Sequence, residues 1–187
     1  MNSKWLKHRI KLCFTKLSLA ALTMLIVPWN TSAASFKPHE VKAVYLFRIA
    51  NFIRWNDEST MNVVNFCVIG DKKVSKVLAS ITEGKSIRSL DIRVQQSVAP
   101  KCDITYLSDL DNNEFSSNAH SPHTVTISDI PNFTDMGGII ELTHIDNKLK
   151  PKINLTNARR GEYIIGSNLL RIAIVEGLCF LNQGTNA

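Results

Sequence analysis

No acidic residue occurs before Glu40, although the 187-residue chain contains 16 Asp and Glu. The acid-free stretch instead opens with Lys4, Lys7, Arg9, Lys11 and Lys16, then runs almost wholly apolar from Leu17 to Val27. Small residues Ser32, Ala33 and Ala34 close it. Basic leader, short apolar run and small-residue exit, in that order, form the pattern of a secretory signal peptide. Residues 1–34 are therefore expected to be cleaved on export, leaving 35–187 as one domain. The apolar run has only 11 residues, too few for a membrane-spanning helix of about 20. Cys13 precedes that run instead of following it, which excludes a lipobox anchor. Of the 22 Lys and Arg, five leave with the leader, so 17 face 16 acids in the mature chain. That near-neutral balance removes the electrostatic footing for a nucleic-acid partner.

The motifs of common catalysts are also missing. No Gly-x-Ser-x-Gly elbow occurs, and no Cys/His pair opens a helix as a nucleophile would require. Gly84-Lys85-Ser86 imitates part of a phosphate-binding loop, but Ala79 stands where that motif needs its first glycine. The expected element order around the triplet, helix before and strand after, is also reversed. His120 and His123 lack the neighbouring cysteines or carboxylates that would complete a tetrahedral metal set. The carboxylates are scattered, with no pair assignable to acid and base roles. The expectation is a protein that is not an enzyme and that needs neither cofactor nor metal.

What remains is a patterned α/β chain. Lys37 to Trp55 predicts a helix, with Pro38 in its first turn. Val41, Tyr45, Leu46, Ile49, Ala50, Phe52 and Ile53 fall on its core-facing arc. Val44, Phe47 and Trp55 sit among the polar residues of the other side. A helix that is apolar beyond its core stripe is packed on two sides or held for a partner, and these three are the candidate partner contacts. Strands are expected at Val63–Ile69, Ile87–Val94, Cys102–Leu107, Thr124–Ser128, Ile139–Thr143 and Lys152–Leu155. Asp71 should cap a helix carrying Val74, Val77, Leu78 and Ile81, and a last helix should run from Asn168 to Glu176 before Gly177. The fold class is α/β: a single mixed sheet of about six strands flanked by helices.

Cys67, Cys102 and Cys179 remain after cleavage, an odd number in a compartment that permits disulfides. Cys67 and Cys102 lie in strand-like apolar contexts, so adjacent strands can bring them together; the alternative is two buried free thiols. Arg159, Arg160 and Arg171 are candidate ligands for an anion, against the plain reading of a solvated basic turn.

Read in order, several segments resemble the YfiR-like family of small periplasmic proteins. They begin with Val41-Lys42-Ala43-Val44-Tyr45-Leu46-Phe47, Phe52 and Trp55. Phe66-Cys67-Val68-Ile69-Gly70, Gly84-Lys85, Cys102-Asp103-Ile104-Thr105-Tyr106-Leu107 and Gly137-Gly138-Ile139-Ile140 follow. The strongest runs from Lys152-Ile153-Asn154-Leu155 through Ala158-Arg159-Arg160 to Ser167-Asn168-Leu169-Leu170-Arg171-Ile172-Ala173. The resemblance implies a mixed sheet flanked by helices and a repressor of biofilm-promoting cyclic-di-GMP signalling. Its implied partner is the periplasmic sensor domain of an inner-membrane diguanylate cyclase. An outer-membrane, peptidoglycan-associated lipoprotein and a second copy of the chain are further candidate partners. It also implies that Cys67 and Cys102 form the family's principal disulfide. The family's second, local disulfide has no counterpart, because no cysteine lies between Cys102 and Cys179. Two function classes follow: a protein-binding repressor, and a module binding an anionic small molecule through the three arginines.

Overall fold

The computed structural model describes residues 36–96, 101–109 and 121–177. The leader and Cys179 lie outside the described residues, and the described residues from Phe36 onward form one compact unit. Helix α1 spans Pro38–Asn51. Its start is secured by Glu40, whose Oε2 accepts the Lys37 backbone N–H at 2.9 Å, satisfying one of the donors that a helix leaves open. Helix α2 spans Lys72–Thr82, and Asp71 caps it as expected, its Oδ1 accepting the Lys73 and Val74 N–H groups at 2.9 and 3.0 Å. Two short helices follow late in the chain, α3 at Leu155–Ala158 and α4 at Ser167–Ile172.

Ten strands accompany them among the described residues: β1 Ile53–Trp55, β2 Val63–Ile69, β3 Ser86–Ile87, β4 Leu90–Gln95 and β5 Ile104–Leu107. The others are β6 Val125–Ser128, β7 Ile140–Ile145, β8 Lys148–Asn154, β9 Tyr163–Ile165 and β10 Ile174–Glu176. Eight form one sheet in the order β10-β8-β7-β6-β5-β2-β4-β3, while β1 and β9 pair as a separate ribbon. The five strands β4, β2, β5, β6 and β7 run parallel; β8 turns back antiparallel to β7, and β10 runs parallel to β8. The mixed α/β class is as expected. The strand count is larger for three local reasons.

First, the opening helix stops at Asn51, four residues short of its expected end. Phe52 closes it, and Ile53 to Trp55 extend to pair with Ile165 to Tyr163. Second, the strand expected over Ile87–Val94 is a tight hairpin of β3 and β4, with Arg88 at its tip in the left-handed region (φ 57). Glu58 holds that strained residue. Its carboxylate accepts Arg88 Nε and, at 2.6 Å, Nη2, while Nη2 also donates to the Ile53 carbonyl at 3.0 Å. Third, the expected final helix ends at Ile172, because the open edge of β8 offers a ladder to the β-branched run that follows. Ile174 and Val175 pair with Lys152 and Ile153.

The strand period of two sorts the residues between faces. Val64, Phe66 and Val68 of β2, Ile104 and Tyr106 of β5, Val125 and Ile127 of β6, and Ile140 and Leu142 of β7 join one buried cluster. Ala43, Leu46 and Ile49 of α1 and Val74 and Leu78 of α2 belong to the same cluster. The alternate positions form the second face, and most are polar yet buried: Asn65, Asp103, Thr105, Thr124, Thr126, Ser128 and Glu141. A small apolar cluster of Ile69, Leu107 and Phe133 also lies apart from the main core. Gly138 makes room for it, since a Cβ there would lie 2.2 Å from the Phe133 ring.

Candidate functional site

The expected contact residues of the first helix part company in the fold. Val44 lies on the exposed side of α1, 36% accessible. Phe47 is half-buried against the core, with Lys85 Nζ 5.6 Å above its ring, within range of a cation–π contact. Trp55 is not on the helix at all. It is 3% exposed in β1, and its indole Nε1 donates to the His123 carbonyl at 3.0 Å. A buried Trp with its N–H satisfied is a packing residue. Trp55 therefore leaves the exposed contact set, and the reason is the helix end at Asn51, which the period-3.6 reading overran.

The groove face of α1 is set by Val41, Tyr45, Arg48 and Phe52, which recur at i, i+4, i+7 and i+11. Two open hollows run along it. One of about 330 Å³ lies between Tyr45, Arg48, Phe52, Leu169 and Ile172; the next, about 460 Å³, lies between Val41, Tyr45, Lys148, Lys150, Pro151 and Ile172. Tyr45 and Ile172 line both, so the hollows form one groove bounded by α1, α4 and the β7–β8 hairpin. The Tyr45 hydroxyl is held in place by donating to the Leu149 carbonyl. Ile172 is 58% exposed. The sequence reading missed it, because it fell within the expected final helix.

The second face of the sheet carries a different arrangement. Cys67 and Cys102 are joined by a disulfide with Cα atoms 5.8 Å apart, within the ordinary range. Beside it, Asp103 is wholly buried. Its Oδ2 accepts the Asn65 backbone N–H at 2.6 Å and the Asn65 Nδ2 at 2.9 Å, and His123 Nε2 lies 2.8 Å from Oδ1. His123 Nδ1 lies 3.6 Å from Asp57. Hydroxyls on this face bond to backbone where the ladder ends: Thr124 Oγ1 donates to the Cys102 carbonyl at 2.6 Å, and Ser128 Oγ to the Leu107 carbonyl at 2.7 Å. Farther along, Lys152 lies between Glu141 and Glu176, at 3.8 and 3.3 Å. Burial works against the Lys152 charge, but the Glu176 hydrogen bond and the two carboxylates outweigh it and raise its pKa. At the other end of the parallel strands, Tyr106 donates to Asp129, which also pairs with Lys42 at 2.6 Å. Burial first, and Asp129 second, push the Tyr106 phenol far above its usual range.

A family model described as YfiR/HmsC-like matches residues 39–174. The chain belongs to the YfiR/HmsC-like family. No curated protein matches it. The matched span covers α1 from His39, the sheet as far as the first residue of β10, and the groove, and at the level of the family it supports a regulatory role in cyclic-di-GMP signalling.

The three expected anion ligands are not gathered by the fold. Arg159 and Arg160 follow α3, Arg171 lies on α4, and all three are exposed. Arg160 Nη2 donates to Asn157 Oδ1 at 2.6 Å. Neither hollow of the groove includes any of them. Among the described residues, no group of three or more His, Cys, Asp or Glu could hold a metal ion, and no helix is long and apolar enough to cross a membrane.

Proposed function

We propose that the protein is a periplasmic repressor that binds the sensor domain of an inner-membrane diguanylate cyclase and lowers cyclic-di-GMP output. The observation that carries this reading is the family match across residues 39–174. Two others support it. A disulfide between Cys67 and Cys102 suits an oxidising compartment, and the basic leader supplies the route there. Val44 and Ile172 also leave apolar area exposed on and beside α1, of the kind that marks a protein contact.

Deleting the gene should raise cellular cyclic-di-GMP and biofilm formation, and the purified mature protein should bind the cyclase's periplasmic domain. Val44→Asp should weaken that binding with the melting temperature unchanged. Trp55→Ala should destabilise the fold instead, because the side chain is core. Mass measurement of the periplasmic form should place the N-terminus at Ala34 or Ser35. An outer-membrane, peptidoglycan-associated lipoprotein would compete for the protein in the same compartment, and a homodimer would show in sedimentation. Unchanged cyclic-di-GMP in the deletion strain, with the cyclase expressed, would sink the repressor reading. The better account would then be an anion-binding module using Arg159, Arg160 and Arg171.

A further inference from the structure

We infer that the groove between α1, α4 and the β7–β8 hairpin receives an amphipathic, acidic segment of a protein partner. The floor is apolar, made by Tyr45, Phe52, Leu169 and Pro151, and Ile172 stands between the two hollows where an inserted side chain would meet it on either side. The rim is cationic: Arg48 lines one hollow, and Lys148 and Lys150 line the other. Among the described residues, no Asp or Glu lines either. An apolar track flanked by one sign of charge selects a partner with apolar anchors and the opposite sign beside them.

The geometry favours a segment over a small ligand. Two open hollows in line, sharing Tyr45 and Ile172, match successive anchors along a helix or strand, whereas a small-molecule site encloses most of its ligand. The chain's own ends do not fit the rim. Residues 1–35 carry five Lys and Arg and no acid, and residues 178–187 carry no charged side chain. Val44, though exposed on α1, lines neither hollow. The inference rests on the repressor reading only where it takes the cyclase's sensor domain as the partner.

Two experiments decide it. In the first, labelled amphipathic peptides with leucines on one face and either glutamates or lysines beside them are titrated into the mature protein. The glutamate peptide should bind at least about tenfold more tightly than the lysine peptide. Ile172→Glu, at a position 58% exposed, should abolish the difference with the melting temperature unchanged, and Lys148→Glu with Lys150→Glu should reverse it. Equal affinity for the two peptides, or binding that survives Ile172→Glu, overturns the inference. So does a sedimenting dimer that Ile172→Glu dissociates, since the occupant would then be a second copy. In the second experiment, the deletion strain is complemented with Ile172→Glu at normal protein level and melting temperature. Failure to restore low cyclic-di-GMP supports the groove as the repressor's contact. Full restoration removes the groove from that contact while the repressor reading stands. If deletion itself leaves cyclic-di-GMP unchanged, the repressor reading fails, and the peptide titration alone decides the groove.

Discussion

The two faces of the central sheet are buried to a similar degree by opposite means. Toward α1 and α2, Val64, Phe66, Ile104, Val125, Ile127 and Ile140 give a dry apolar layer, where each large side chain contributes about 1.5–3 kcal/mol by leaving water. On the reverse face, Asn65, Asp103, Thr124, Thr126 and Ser128 are equally hidden but gain little from transfer. They hold through the hydrogen bonds described above, through Thr126 Oγ1, which accepts the Ile139 N–H at 3.1 Å, and through the Cys67–Cys102 bridge. An apolar face is forgiving in kind, since any well-shaped hydrophobe fits it. A buried polar face is exacting, because each group has one set of partners and costs about 1–3 kcal/mol when orphaned. Its exception is visible: Thr105 Oγ1 is buried with no hydrogen bond, whereas Glu141 Oε2, which also lacks one, keeps the Lys152 ion pair.

This comparison can be broken in order of expected size. Phe66→Ala on the apolar face should cost about 4 kcal/mol by urea unfolding, the usual toll of a core aromatic. Phe66→Leu should recover more than half of it. Asp103→Ala on the polar face should cost about 3 kcal/mol, because Asn65 N–H, Asn65 Nδ2 and His123 lose their acceptor in a dry site. Here Asp103→Leu should recover nothing, although it fills the space. A Leu that rescues would show that the second face is held by volume like the first.

Opening the Cys67–Cys102 bridge, by reductant or by Cys67→Ser, should lower stability by about 3 kcal/mol, somewhat under the roughly 4 kcal/mol that chain entropy gives for a separation of 35 residues. The reduced protein should stay folded, since the Asp103 bonds to Asn65 tie the same two segments independently. Melting curves with and without reductant check this. An unfolded reduced chain would place the polar face's strength in the bridge alone.

The smallest effect is alkaline. Burial raises the pKa of Tyr106 and of Tyr163 above the ordinary phenol value, so the folded state keeps both protonated. The stability that this contributes is complete below about pH 10, the unfolded value. It is lost as pH rises from there toward the folded values, because the unfolded chain releases protons that the native one holds. Absorbance of ionised tyrosine should therefore rise in step with unfolding. Titration of both phenols in a still-folded protein would show that the apolar face is wetter than its packing implies.

The parts of the fold carried by strong local signals were legible. The Asp71 cap, the β-branched run Val63–Ile69 and the strands Ile104–Leu107 and Val125–Ser128 stand close to where pattern and propensity put them. The end of α1 was not legible, because Phe52 to Trp55 continue an apolar pattern that fits a helix as well as a strand, and only β9 settles the choice. The same holds for Ile172 to Glu176, where the open edge of β8 competes with helix continuation. Trp55 becomes a candidate partner contact only through that overrun, and Ile172 escapes notice through the other. The mixed α/β class is a property of composition and order, so the sequence by itself determined it; export, read from the leader alone, is the expectation that the periplasmic mass measurement tests. The groove and the separation of Trp55 from Val44 depend on which distant strand offers a free hydrogen-bonding edge. The clustering of Asn65, Asp103 and His123 depends in turn on which strands become neighbours in the sheet, so these were decided by tertiary structure alone.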